Sequence, residues 1–297
     1  MRNVFYLLML FFLSAVSINA QNTFFTETFN GGIPNNWSVV TPQGNGAASA
    51  DWTWTNFGPM GDFSIGALLS TSVSNGWMIF DSDLNCSGQT QESWLIAPRQ
   101  DASNLSTVFL NFETFYASFN DRPTLEVSID SMNWESIEIF PNVGANDFGG
   151  GSDEVNPQIV NIDLSDIVAG QSSFWFAFRF LSSSATQNGG DGIGCAYSWQ
   201  LDDVALTDGD SRAADDLSIS NTFFVVAPNS LTPASQIQPL NFLAAAVNEG
   251  SQDQTNVTVG IRIENEGGDV VFSEDGSIEF LGVDSTEIVV FEDQFTP

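Results

Sequence analysis

The sequence contains no histidine and no lysine. Its 6 basic residues are all arginines, set against 37 Asp and Glu, for a formal net charge of -31 over 297 residues. Lacking histidine, the chain lacks the commonest general base and zinc ligand, so any hydrolytic chemistry would rest on carboxylates. Lacking a basic surface, it is a poor partner for nucleic acid or anionic lipid, which share its sign of charge. Cysteine is nearly absent as well. Cys86 and Cys195 are the two present, and they are read either as one bridge closing a loop of about 110 residues or as two separate buried thiols. Amphipathic helical spacing is missing throughout, which excludes a helical bundle.

The one long apolar run lies at the start. Arg2, the apolar stretch from Val4 to Val16, and Ser17-Ile18-Asn19-Ala20 before Gln21 read as an export signal over residues 1–20. It is too short for a comfortable membrane span. Its removal takes Arg2 with it, and no second such run follows, so no transmembrane segment is expected in the mature chain. The expected location is outside the cell or on its surface.

What the sequence has in abundance is alternation. Short apolar/polar runs separated by Gly, Asn, Asp and Pro turns recur from Phe24 to Leu206 and predict ten or more strands. They include Ser38–Thr41, Trp52–Thr55, Ala67–Thr71, Trp77–Phe80, Glu92–Ala97, Leu105–Tyr116, Thr124–Asp130, Glu135–Phe140, Pro157–Leu164, Phe174–Phe180 and Ser198–Leu206. The prediction is all-β: a jelly-roll sandwich over residues 21–208, a polar linker over 209–216, and a second, immunoglobulin-like sandwich over 217–297. In that second unit Val270–Phe272 and Ser277–Leu281 are read as separate strands. It is shorter than such sandwiches usually are, so further domains are expected beyond Pro297.

The stretch Ser198-Trp199-Gln200-Leu201-Asp202-Asp203-Val204-Ala205-Leu206 closes the first sandwich. Trp199 and Leu201 share one parity, Val204 and Leu206 the other, so the apolar face changes phase at the Asp pair. A bulge or bend there would reconcile them. In a regular strand Asp203 would face inward and need an arginine or a bound cation as partner.

Several ordered motifs resemble the cleaved-adhesin and choice-of-anchor J families of secreted Bacteroidota proteins, which include the haemagglutinin-adhesin modules of gingipains. They are Glu27-Thr28-Phe29-Asn30-Gly31-Gly32-Ile33-Pro34-Asn35-Asn36-Trp37, Phe80-Asp81-Ser82-Asp83, Ser93-Trp94-Leu95-Ile96-Ala97-Pro98, Phe176-Ala177-Phe178-Arg179-Phe180 and Leu201-Asp202-Asp203-Val204. The resemblance covers about residues 24–208. It implies a jelly roll with structural calcium where the chain ends meet, an adhesive role toward host proteins, haem-proteins or glycans, and, by analogy, type IX secretion.

The acids in those motifs set the candidate metal site. Calcium takes six to eight oxygens. Glu27, Asp202 and Asp203 are candidate ligands, with an Arg179 ion pair as the alternative. Asp81 and Asp83 are further candidates, against an ordinary solvated turn. Asp-x-Asp-x-Asn at 81–85 imitates half an EF-hand, but Cys86 stands where the glycine belongs, so an EF-hand is rejected. Asp147, Asp153 and Glu154 form a weaker acidic group. Trp52, Trp54, Trp77 and Trp134 are read as core before ligand platforms. The function expected is a non-enzymatic adhesion or binding module for a glycan or extracellular protein, stabilised by calcium. A carbohydrate-binding or carbohydrate-active part of a hydrolase, and an inert spacer, are the alternatives.

Overall fold

The computed structural model describes residues 21–42, 50–86, 90–119, 121–141, 143–144, 146–149, 155–182, 195–220 and 238–296. The proposed export signal, Asp153 and Glu154 lie outside these residues.

The larger unit is a sandwich of two antiparallel sheets. One contains β1 (Thr23–Glu27), β3 (Thr53–Thr55), β4 (Trp77–Asp81), β6 (Phe109–Tyr116), β9 (Gln158–Asp163) and β11 (Ser198–Thr207), in the order β3-β4-β11-β6-β9 with β1 also on β11. The other runs β2 (Ser38–Val40), β5 (Gln91–Ile96), β10 (Trp175–Ser182), β7 (Arg122–Ser128), β8 (Glu135–Glu138). Consecutive strands mostly cross from one sheet to the other, so both inner faces draw on the whole chain. A turn of α-helix, α1 (Ser165–Val168), and a 3-10 turn at Val73–Asn75 interrupt the strands.

Period-two alternation becomes burial directly. Even-numbered Phe176, Phe178 and Phe180 of β10 are fully buried, and so are Leu110, Leu125 and Leu95 on facing or neighbouring strands. Trp199 sits at the centre, edge-on to Trp52 at 5.0 Å and to Phe178 at 5.9 Å between ring centres. Its indole N–H is satisfied by Thr114 Oγ1 at 2.9 Å. Trp52 and Trp77 are core residues, each 2 % exposed. Gly76 adopts φ +89°, where a Cβ would meet the Trp54 ring and come within 2.7 Å of the Thr55 carbonyl oxygen, so only glycine fits that turn.

The phase change in the closing strand is a bulge. The β11–β6 register shifts between Asp202 and Ala205, and Asp203 stands at φ 48°. That extra residue puts Trp199, Leu201, Val204 and Leu206 all in the core. It also corrects the regular-strand expectation: the buried carboxylate is Asp202, fully buried, while Asp203 is half-buried.

Ala67–Thr71 forms no strand. Its backbone is satisfied by side chains instead. Leu68 N–H donates to Gln200 Oε1, Leu69 N–H to Asn156 Oδ1 and Thr71 N–H to Glu113 Oε2, at 2.6–3.0 Å. The segment lies over the outer face of the six-stranded sheet, where Leu68, Trp77 and Phe115 make a small satellite core.

Arg179 is not a partner of the Asp pair. It projects from the outer face of the other sheet, between Glu92 at 2.8 Å and Glu126 at 3.4 Å. Those carboxylates are 8 % and 4 % exposed. Removing the cation leaves them buried beside each other, so Arg179→Met is expected to lower stability by about 3 kcal/mol in urea unfolding.

The smaller unit pairs β12 (Leu217–Ile219), β13 (Leu243–Asn248) and β16 (Thr286–Val290) in one sheet, and β14 (Gln254–Glu264) with β15 (Val270–Leu281) in a hairpin. Phe242, Leu281 and Phe291 anchor its core. The two short strands expected at 270–272 and 277–281 are one strand, because Glu274, Asp275 and Gly276 pair with Ile261, Gly260 and Val259.

Candidate functional site

The sequence-nominated acids fall into two places. β1 lies beside β11, with Glu27 opposite Val204, so Glu27 and the Asp pair share one neighbourhood. Asp81 pairs with Ser198, four residues earlier on β11, which is about 13 Å along the strand. The five carboxylates therefore do not gather into one cluster. Among the described residues no group of three or more acidic or cysteine side chains is close enough to hold a metal by itself.

At the first place the bulge turns Asp202 under the 70–76 segment. Asp202 Oδ2 accepts from the hydroxyls of Ser70 at 2.6 Å and Ser72 at 3.0 Å, and Asp203 Oδ2 accepts from Ser72 N–H at 2.9 Å. Three residues on, Asn75 Nδ2 donates to Thr28 Oγ1, and Gly31 N–H donates to the Asn75 carbonyl. Glu27 Oε1 accepts from Phe29 N–H at 2.8 Å. One hydrogen-bonded seam thus joins the first strand, the 70–76 segment and the last strand.

Two oxygens in the seam, Asp202 Oδ1 and Asn75 Oδ1, are buried and have no hydrogen-bond partner. Burial raises the Asp202 carboxyl to about 6, with the neighbouring Asp203 charge adding to the rise. Such orphaned acceptors are costly unless something fills their coordination. All donors here are oxygens, the set a hard divalent cation takes, so the residues present fit such an ion in chemistry. Ser70 and Ser72 could not be found from sequence as partners of Asp202, because that contact depends on the loop crossing the sheet.

At the second place the acids already serve the backbone. Asp81 accepts from Met60 N–H at 2.7 Å and from Leu84 N–H at 3.2 Å, and Asp83 accepts from Phe63 N–H at 2.5 Å. They clamp the 60–63 loop over the end of β4. Ser82 extends the clamp: its hydroxyl accepts from Ala196 N–H at 2.8 Å and its amide donates to the Tyr197 carbonyl at 3.2 Å. Cys86 and Cys195 are bonded to each other just beyond, with 4.5 Å between their Cα atoms.

Beside the disulfide is an open cleft of about 320 Å³, lined by Phe63, Phe119, Tyr197, Asp83, Asn146 and the two half-cystines. Phe63 is 71 % exposed. The Phe119 and Tyr197 rings lie 5.8 Å apart, and Tyr197 donates its hydroxyl to Asn146 Oδ1 at 3.0 Å. Phe119 is oriented from below by Asp121, whose Oδ1 accepts the Phe119 N–H at 2.7 Å. Asp121 is fully buried, and burial pushes its carboxyl up to about 7. Three aromatic rings with a few fixed polar groups make a surface for an apolar ligand face with hydroxyls at its edge.

No helix among the described residues is long and apolar enough to cross a membrane. No protein-family model matches the chain, and no curated protein matches it. Among solved structures it is similar to the K3 cleaved adhesin domain of Lys-gingipain from Porphyromonas gingivalis W83, at 16 % identity and a TM-score of 0.40, covering 63 % of this chain and 99 % of that one. It is also similar to TmCBM61 in complex with β-1,4-galactotriose, at 11 % identity and a TM-score of 0.34, covering 61 % of this chain and 93 % of that one. A third is the CBM22-2 xylan-binding domain of Xyn10C from Paenibacillus barcinonensis, at 16 % identity and a TM-score of 0.33, covering 62 % and 98 %.

Proposed function

We propose that the chain is an exported, non-enzymatic binding module of the cleaved-adhesin type, held together by structural calcium and serving within a larger secreted or surface protein. The observation that carries the binding role is the disulfide-edged cleft with its three aromatic rings. Its ligand is a glycan or an apolar group of an extracellular protein. The ordered motifs that resemble those of the cleaved-adhesin and choice-of-anchor J families favour that grouping. A chain without histidine or lysine offers no nucleophile–base pair built on those residues and leaves carboxylates as its acid–base groups. A binding screen of the full chain against glycans and extracellular proteins tests this reading, with Phe63→Ala and Tyr197→Ala expected to abolish any cleft-borne signal. A blank screen returns the module to the role of spacer, and polysaccharide hydrolysis lost on Glu27 or Asp203 substitution returns it to the enzymes.

The calcium half rests on the orphaned oxygens of Asp202 and Asn75. Asp202 would supply the ion's first oxygens, with Asp203 beside it and Asn75 on the same seam, and the ion's charge would offset carboxylates for which no arginine partner stands among the described residues. Calcium at about 100 times its dissociation constant is expected to stabilise the chelator-treated protein by about 2.7 kcal/mol, raising Tm by about 5–10 °C. Asp202→Asn is expected to remove that shift. No shift in the parent protein at millimolar calcium ends the proposal.

A further inference from the structure

The outer face of the five-stranded sheet carries a second constellation, built from residues other than those of the cleft and the Asp202 seam. The register sets Trp94 of β5, Arg179 of β10 and Thr124 of β7 side by side in one row across the sheet. In the next row Glu126 stands between Ala177 and Ser136. Arg179 Nε donates to Glu92 Oε1 and Nη1 donates to Glu126 Oε1. Each carboxylate is braced again from the side. Glu92 Oε1 accepts the Trp94 indole N–H at 3.0 Å, and Glu126 Oε1 accepts the hydroxyls of Thr124 at 2.8 Å and Ser136 at 3.0 Å. The guanidinium carbon lies 5.3 Å from the centre of the Trp94 ring. Trp134, in the turn before β8, meets Trp94 at 5.5 Å with 74° between the rings. Both indoles remain half-buried, so this corner is open to solvent.

An ordinary solvated sheet face carries long, separately hydrated side chains. Here an arginine and two nearly buried carboxylates are locked in place by supporting partners, next to two fixed indoles. Val40, 44 % exposed, and the half-buried Ile96 and Leu181 continue the apolar part of the face. A preorganised polar array beside fixed aromatic rings is what a binding surface needs and what a merely stable sheet does not.

We propose that this platform binds a pyranose unit of a neutral glycan. The Trp94–Trp134 corner takes the apolar C–H face of the sugar ring, and the Arg179–Glu92–Glu126 array meets its hydroxyls. Charge selects the class. An anionic glycan meets two carboxylates for one guanidinium on a chain of net charge -31. A cationic ligand finds the cation–π position on Trp94 already held by Arg179. This second site goes beyond the cleft reading, and its failure leaves that reading intact.

Affinity electrophoresis of the full chain tests it, using xylan, β-1,4-galactan, galactomannan and mixed-linkage β-glucan as neutral arms, with polygalacturonate and chitosan as charged ones. At least one neutral polymer is expected to retard the protein. Trp134→Ala is expected to weaken that retardation about tenfold, and Trp134→Tyr to retain most of it. Phe57→Ala, an exposed aromatic outside both surfaces, is expected to change nothing, and thermal melts should show each variant folded. The proposal is overturned if no neutral polymer retards the chain, or if only a charged one does. It is equally overturned if Trp134→Ala and Glu126→Gln both bind like the parent while Phe63→Ala does not, which would assign the sugar to the cleft.

Discussion

Cys86→Ser and Cys195→Ser, singly or together, are expected to lower the unfolding free energy of the first sandwich by about 5 kcal/mol. The bridge spans 109 residues of sequence. In the chain-entropy model a loop that long restricts the unfolded ensemble by about that amount. The bond lies just past the point where β4 and β11 stop pairing, at Asp81 opposite Ser198. It also forms a wall of the aromatic cleft, so binding borne by the cleft should fall in the serine variants even under conditions where they stay folded. Urea unfolding of parent and variants, with and without dithiothreitol, measures the effect. A difference under about 1 kcal/mol would mean that β4 and β11 need no covalent tie and that the cleft wall stands without it.

Raising the pH from 4 to 8 is expected to cost the parent protein about 4 kcal/mol through Asp121 alone. Its carboxyl titrates near 7 in the folded state against 3.8 for the ordinary group, because burial penalises the charged form, and the Phe119 amide offsets only part of that. Between those values the folded protein holds a proton that the unfolded chain has released. Stability therefore falls as pH rises through the window and levels off above about 7. The Tyr116 phenol beside it is buried too and is pushed well above its usual range, so it stays neutral and does not titrate in this window. Asp121→Asn should flatten the decline and make the variant the more stable form at pH 8. Urea midpoints at half-unit intervals of pH decide it, and a parent profile that rises from pH 4 to 8 with the variant running parallel would refute the assignment. Asp202 slopes the same way in metal-free protein, which is why the variant comparison, rather than the parent curve, isolates Asp121.

Most strands were legible because a two-residue period is a local property. Phe174–Phe180 and Leu105–Tyr116 read as strands, and both are central. Reading fails in one place where distant side chains replace a neighbouring strand, and in another where a neighbouring strand overrides a turn-like run. Ala67–Thr71 has the right alternation, but Gln200, Asn156 and Glu113 take its amides. In the second unit Glu274-Asp275-Gly276 looks like a turn, and only the pairing with β14 carries the strand through it.

The candidate sites divide the same way. The phase change at Asp202-Asp203 marks a bulge from sequence alone, because two apolar parities cannot share one face without an extra residue. Which aspartate is buried, and that Ser70 and Ser72 lie against that pair, depended on the 70–76 segment crossing the sheet. Arg179 is the alternative partner that the sequence offers the Asp pair, and its actual partners Glu92 and Glu126 come from strands about 90 and 50 residues away.

The amino-acid sequence by itself determined the all-β class, the acidic surface and the lack of histidine chemistry, since each is written in composition or in a short-range period. Only the tertiary structure decided where Trp94, Trp134 and Arg179 meet, which carboxylates are buried, and that Cys86 reaches Cys195. Those facts depend on the register between strands far apart in the chain, and register is set by the packing of both sheets at once rather than by any local run of residues.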